Sequence, residues 1–127
     1  MNCKIVALEE FKKDTKKLIK KYRSLKGELQ ELQQKLCDTP RMGTLITENT
    51  YKIRLAVKSK GKGKSGGLRI ITHVIEVEVK IEEENASEIT IFLVAIYDKS
   101  SHSTISTSIL KDIISDLHSE FLEEEEE

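Results

Sequence analysis

YKIRLAVKSKGKGKSGGLRIITHV, residues 51–74, is the stretch around which the rest of the chain is organised. Both of its ends alternate apolar with other side chains, the pattern of a β-strand that turns one face toward a core. Its middle is rich in glycine, which indicates a long loop between the two strands of a hairpin. The stretch has no acidic residue and seven basic ones: Lys52, Arg54, Lys58, Lys60, Lys62, Lys64 and Arg69. The sequence therefore predicts a cationic strand face and a cationic loop, a surface that attracts phosphate.

Length and charge indicate one small domain. The chain has 127 residues and a formal net charge of −1, but the last five residues are all glutamate, and without them the net charge is +4. We expect residues 1–122 to form a single domain and residues 123–127 to be a disordered acidic tail. No N-terminal run resembles a signal peptide, and the longest apolar run, residues 89–97, is about half the length of a membrane helix. These features predict a cytoplasmic protein without a membrane segment.

The two cysteines carry no metal-site or redox spacing. Cys3 and Cys37 lie far apart, with no CxxC motif and no histidine pair beside them. They are expected to be free thiols in a reducing cytoplasm. Neither a metal nor a cofactor is predicted.

Periodicity places the remaining elements. Residues 2–8 form an apolar run typical of a strand, and residues 9–22 and 25–36 have helical spacing, with a leucine seam in the second helix at Leu25, Leu29, Leu32 and Leu36. Residues 37–50 are expected to be a connection. The second strand of the hairpin continues to residue 81 with a bulge or a strong twist near residues 73–75, and residues 88–97 form a central strand. With a last amphipathic helix at residues 105–122, the order is β-α-α-β-β-β-α. This is an α+β fold with a largely antiparallel four-stranded sheet, a helical hairpin on one face and a C-terminal helix.

The whole pattern resembles the RelE/ParE superfamily of bacterial toxins from type II toxin–antitoxin modules, and within it the RelE and HigB-like branches. The resemblance covers nearly all of residues 3–120. It is carried by residues 11–22 with the Ser24-Leu25-Lys26 that follows, by KIRLAVKSKGKGKSGGLRIITHV, and by FLVAIYDKS before the last helix. It implies a metal-independent endoribonuclease that cleaves mRNA on the ribosome, inhibits translation and arrests growth, and that a cognate antitoxin protein neutralises.

The resemblance also implies roles for individual residues. In such enzymes the ribose 2′-hydroxyl attacks the adjacent phosphate, which requires a base, an acid and cations on the phosphate. Lys52 and Arg54 correspond to strand lysines of the family, one of which is thought to be the base, and Arg69 to an arginine that grips the phosphate. Lys99 corresponds to a basic residue after the last strand. A lysine base requires neighbouring cations and desolvation to lower its pKa from about 10.4. The loop residues expected to steer toward ribosomal RNA are Lys58, Lys60, Lys62 and Lys64.

One position departs from the family pattern. RelE-type enzymes have a tyrosine six residues after the last basic residue, where this chain has Ile105. His102 lies close by in sequence and is a candidate acid or base near neutral pH. Tyr97 is expected to belong to the core, and His118 is expected to face solvent.

Other classes of function fit the same residues. A ParE-like toxin inhibits DNA gyrase by binding and cleaves no RNA, and a degenerate toxin only binds its antitoxin. A basic hairpin also serves simply to keep a sheet edge soluble. Either toxin class implies an apolar groove between the helical hairpin and the sheet edge that accepts an antitoxin helix or strand.

Overall fold

The fold is α+β, with three helices and a five-stranded mixed sheet. A computed structural model describes residues 2–61, 67–98 and 107–126. Its elements are β1 (Asn2–Ala7), α1 (Glu9–Lys21), α2 (Leu25–Asp38), β2 (Thr44–Thr47), β3 (Thr50–Leu55), β4 (Leu68–Ile81), β5 (Glu84–Asp98) and α3 (Thr107–Glu126). A short 3-10 turn, Lys58–Lys60, follows β3.

The sheet has the order β1-β5-β4-β3-β2. The neighbouring pairs from β2 to β5 are antiparallel, as predicted for the three consecutive strands, whereas β1 runs parallel to β5. The predicted four-stranded sheet is therefore wrong in its strand count, because part of the expected connection forms β2. A strand of four residues is too short for alternation to reveal it.

The sheet buries both of its faces. On one face α1 and α2 cover Ile53, Ile70 and Val74, and the predicted leucine seam of α2 is buried there. On the other face α3 brings Leu110 and Leu117 onto the core that contains Ile71, Phe92 and Val94. The predicted placement of the helical hairpin on one face is thus confirmed, and the C-terminal helix lies on the opposite face.

The expected bulge lies on the neighbouring strand. The register between β4 and β5 shifts where Ile71 faces Ala95 and Thr72 faces Leu93, so Val94 of β5 is the extra residue. Along β4 the apolar residues change from even-numbered to odd-numbered positions, and this change has another cause. Both faces of that strand are covered, with Val74 in the core under α1 and α2 and Ile75 against the core under α3.

The prediction of free thiols is wrong. Cys3 and Cys37 form a disulfide, with their Cα atoms 5.6 Å apart, that joins β1 to the last turn of α2. The helical hairpin returns the chain to its first strand, so a sequence separation of 34 residues does not keep the two side chains apart.

The C-terminal helix is longer than predicted. Its backbone continues to Glu126, so most of the acidic segment expected to be disordered lies on α3. Glutamate is a good helix former, which is consistent with this extension. Among the helices of the described ranges, none is long and apolar enough to cross a membrane.

Candidate functional site

Strand β3 separates its cations from its apolar residues, as predicted. Tyr51, Ile53 and Leu55 pack on the core under α1 and α2. Since successive side chains of a strand point to opposite faces, Lys52 and Arg54 stand on the other face, the one that α3 covers in part. The sheet therefore presents two cations about 7 Å apart along one strand.

A row of three residues crosses the sheet beside these cations. Arg54 of β3 is opposite Arg69 of β4, which is opposite Tyr97 of β5. Directly opposite residues in antiparallel strands have Cβ atoms about 5 Å apart on the same face, and like charges at such positions destabilise the sheet. The Arg54–Arg69 pair therefore concentrates positive charge on this face of the sheet.

The two arginines of this row differ in exposure. Arg54 is exposed, whereas Arg69 is only 3% exposed, and its Nη1 donates to the Leu68 carbonyl oxygen at 3.3 Å. Tyr97 is buried as expected, and burial raises the pKa of its phenol although the facing Arg69 partly opposes that shift. The phenol therefore keeps its proton at neutral pH. The row therefore contains one guanidinium group that is exposed to solvent, that of Arg54, and one that is buried, that of Arg69.

A buried ion pair fixes the start of the glycine-rich loop. Lys60 Nζ lies 2.7 Å from Asp98 Oδ1, with side-chain exposures of 12% and 4%. The Tyr22 hydroxyl donates to Asp98 Oδ2 at 2.8 Å. Lys60, predicted to steer toward RNA, therefore holds the 3-10 turn against the end of β5.

A second set of hydrogen bonds ties the same turn to the helical hairpin. The Ser59 amide donates to Ser24 Oγ at 3.0 Å, and the Ser24 amide donates to Ser59 Oγ at 3.2 Å. The Lys58 amide donates to a carboxylate oxygen of Glu28 at 2.8 Å. Ser24 is the N-cap residue of α2, but its hydroxyl bonds to Glu28 and Ser59 and not to the helix backbone. Lys58 is exposed, so its ammonium group can reach an anion.

Several predicted site residues lie outside the described residues: Lys62, Lys64, Lys99, His102 and the departing Ile105. Their predicted roles stay predictions. In the described part of the chain, no group of three or more histidine, cysteine or acidic side chains is placed to hold a metal ion.

Sequence reasoning missed two polar contacts. Asp98 was not among the predicted site residues, although it is an acidic residue at the end of a buried strand and precedes Lys99. The prediction that His118 faces solvent is wrong, because its Nε2 lies 2.7 Å from Nε2 of the buried His73. The only available signal was a histidine within an apolar strand.

A groove of about 500 Å³ lies beside the cationic strand, between α2 and β3. Its apolar lining is Leu32, Met42, Ile53, Leu55 and Ala56, and its polar lining is Ser24, Glu28, Glu31, Lys35, Arg54 and Lys58. Strand β2 pairs with β3 only as far as Lys52. Within the described ranges no strand covers the outer edge of Ile53–Leu55, so backbone hydrogen-bonding groups there face the groove.

Comparison of the chain with protein-family models, with curated proteins and with solved structures found no match. The resemblance to the RelE/ParE superfamily therefore rests on the residues quoted above.

Proposed function

We propose that this protein is a toxin of the RelE/ParE type that cleaves mRNA on the ribosome and is neutralised by an antitoxin. The observation that carries the proposal is the pair of arginines placed directly opposite each other on β3 and β4. Two guanidinium groups opposite each other on one sheet face concentrate positive charge, and such a surface attracts an anion. The phosphodiester of an RNA backbone is an anion of the required kind.

The proposed chemistry places each cation at a charge that develops during cleavage. Attack of the 2′-hydroxyl on the adjacent phosphate builds negative charge on the phosphate oxygens, which Arg54 and Arg69 stabilise. An arginine is suited to this role because its planar fork donates two parallel hydrogen bonds to phosphate. The products are a 2′,3′-cyclic phosphate and a free 5′-hydroxyl.

Lys52 is the proposed base. It stands on the same face as Arg54, two residues away along β3. The Arg54–Arg69 pair places further positive charge on this face. An acid for the leaving oxygen is not assigned among the described residues.

The loop after β3 supplies attraction for RNA. The hydrogen bonds of Ser24, Ser59 and Glu28 fix its first turn, and Lys58 projects its charge from that turn. We do not assign this role to Lys60, because its ammonium group is paired with Asp98. Fixing the turn reduces the entropy lost when the loop closes on RNA.

The groove between α2 and β3 is the proposed antitoxin site. Its uncovered strand edge, Ile53–Leu55, can pair with an extended antitoxin segment, while the apolar side chains beside it receive alternate residues of that segment. An antitoxin segment bound there would lie against the backbone of β3, the strand whose opposite face carries Lys52 and Arg54.

The test is to induce the protein in bacteria without an antitoxin and to map new mRNA 5′ ends across the transcriptome. Arg54→Ala is the main variant, because Arg54 is exposed and its loss leaves the core intact. Arg69→Ala runs alongside it. Lys80→Ala is the matched control, since Lys80 is an exposed cation on β4 outside the proposed site.

Cuts within translated messages that disappear in Arg54→Ala and persist in Lys80→Ala would support the proposal. Growth arrest without cuts, accompanied by DNA breaks, would favour a gyrase-binding toxin. Absence of arrest would indicate a degenerate toxin that only binds its antitoxin.

A further inference from the structure

A pair of histidines, one buried and one half-buried, joins α3 to the sheet. His73 on β4 is 1% exposed, and its Nε2 lies 2.7 Å from Nε2 of His118 on α3. The two rings meet edge to face, with centroids 4.9 Å apart. The proposed cleavage site uses neither ring, and Leu110 and Leu117 of α3 pack on the apolar core of the same sheet face.

Hydrogen bonds on the far side of His73 determine which of its nitrogens carries a proton. The Thr50 hydroxyl donates its only proton to the Glu48 carbonyl oxygen at 2.9 Å. It lies 2.9 Å from His73 Nδ1 and can only accept there, so Nδ1 is the protonated nitrogen. The neutral His73 ring therefore has a lone pair on Nε2, and His118 Nε2–H donates to it.

This arrangement accepts one proton between the two rings and excludes a second. A proton on each Nε2 would place two N–H groups head to head across 2.7 Å, at a His73 ring that is buried. The groups that face His73 are Thr50 from β3, His118 from α3 and Phe92, its β5 partner, and Arg41 adds a positive charge. Arg41 is paired with Glu76 only at 3.9 Å, so its charge is weakly compensated.

We propose that the His73–His118 hydrogen bond is a proton-sensitive latch that holds α3 on the sheet, and that protonation of both rings releases the helix while the central strands stay folded. This inference stands independently of the cleavage proposal. Its consequence for the surface is direct, since α3 packs on the face that bears the Arg54–Arg69 row. Acidification would therefore remodel the surroundings of that row.

Amide hydrogen exchange of the full chain tests the latch. Protection factors are measured at about pH 7.5 and about pH 5, the lower value lying above the usual carboxylate range. The pKa of His73 is lowered from 6.5 to about 4 when α3 is docked, chiefly by burial. Release therefore becomes about 25-fold more favourable between the two pH values, and protection of residues 109–121 falls by that factor. Protection in β4 and β5 stays higher than in α3 at both pH values, because these strands exchange only when the whole fold opens.

His118→Gln separates the latch from ordinary acid lability. A carboxamide can turn either its nitrogen or its oxygen toward His73, so it bonds to the neutral ring and to the protonated one. In this variant the acid-dependent loss in α3 should be smaller than in the natural chain, because the part caused by His118 is removed and the part caused by burial of His73 remains. His102→Gln is the matched control, because it removes the third histidine of the chain and leaves the pair intact. This control should keep the full loss.

Three results would overturn the inference. One is an unchanged protection of α3 in the natural chain at about pH 5, and another is an equal loss in His118→Gln. The third needs no variant: nitrogen NMR of the natural chain near neutral pH should find His73 protonated on Nδ1 alone, and a proton on its Nε2 would exclude the proposed arrangement.

Discussion

Replacing Asp98 by asparagine tests the buried ion pair that anchors the loop. Asp98 accepts from Lys60 at 2.7 Å and from the Tyr22 hydroxyl at 2.8 Å. The carboxamide of Asp98→Asn keeps the size and one acceptor oxygen but leaves the Lys60 ammonium, only 12% exposed, without its counter-charge. Leaving one charge of a buried pair uncompensated costs about 3–5 kcal/mol, and the partial access of Lys60 to water indicates the lower end, about 3 kcal/mol.

Urea unfolding followed by circular dichroism gives this free energy. Adding Lys60→Met to Asp98→Asn should recover about 2 kcal/mol, because the double variant no longer buries an unpaired charge. Glu9→Gln is the matched control. It breaks the exposed Lys12–Glu9 pair and should change stability by less than about 1 kcal/mol. A loss below about 1 kcal/mol in Asp98→Asn, or no coupling to Lys60, would refute the reasoning.

Three further predictions concern stability and are read from the same unfolding curves. Replacing both Cys3 and Cys37 by alanine should cost about 3–4 kcal/mol, because their bond closes a loop across 34 residues of sequence, and an unchanged midpoint would contradict this. The folded pKa of His73, about 4, lies below its ordinary 6.5. The unfolded chain therefore binds more protons between these values, and stability should fall by about 3 kcal/mol as pH drops from about 7 to about 4, relative to His73→Gln. Equal pH profiles would exclude that contribution. Gly67→Ala should cost about 1–3 kcal/mol because its Cβ would collide with the β3 backbone, whereas Gly27→Ala, in open space on α2, should stabilise by up to about 1 kcal/mol. Equal effects would refute that assignment.

Local periodicity was sufficient for the parts of the fold that lie within one element. Alternation placed Lys52 and Arg54 opposite the apolar residues of β3, and heptad-like spacing found the buried leucine seam of α2. Both patterns reflect a single buried face, which is what a period of two or of three to four residues records. The candidate site was predictable to the same extent, since the Arg54–Arg69 pairing follows from closing one hairpin.

Contacts between distant elements were not predictable. The pairing of β1 with β5, the disulfide and the His73–His118 contact each join segments separated by at least 34 residues. No local pattern encodes such a pairing. The fifth strand was missed for a different reason. β2 has only four residues, which are too few for an alternating pattern to be recognised.

The same limit explains why the loop lysines were treated alike. Lys58 and Lys60 are indistinguishable in sequence, yet one is exposed and the other is paired with Asp98 at the end of β5. A charge run identifies a cationic segment. A charge run does not show which lysine of the segment forms an ion pair within the fold.

The most direct test of the central claim is cleavage of a translated message by the purified protein. Purified ribosomes carrying a defined mRNA are incubated with the natural chain, with Arg54→Ala or with Lys80→Ala, and the RNA ends are analysed chemically. We predict 2′,3′-cyclic phosphate and 5′-hydroxyl ends from the natural chain and from Lys80→Ala, and a loss of at least about 100-fold in rate for Arg54→Ala, the usual effect of removing one charge-stabilising group. Intact message with the natural chain, or equal cleavage by Arg54→Ala, would contradict it.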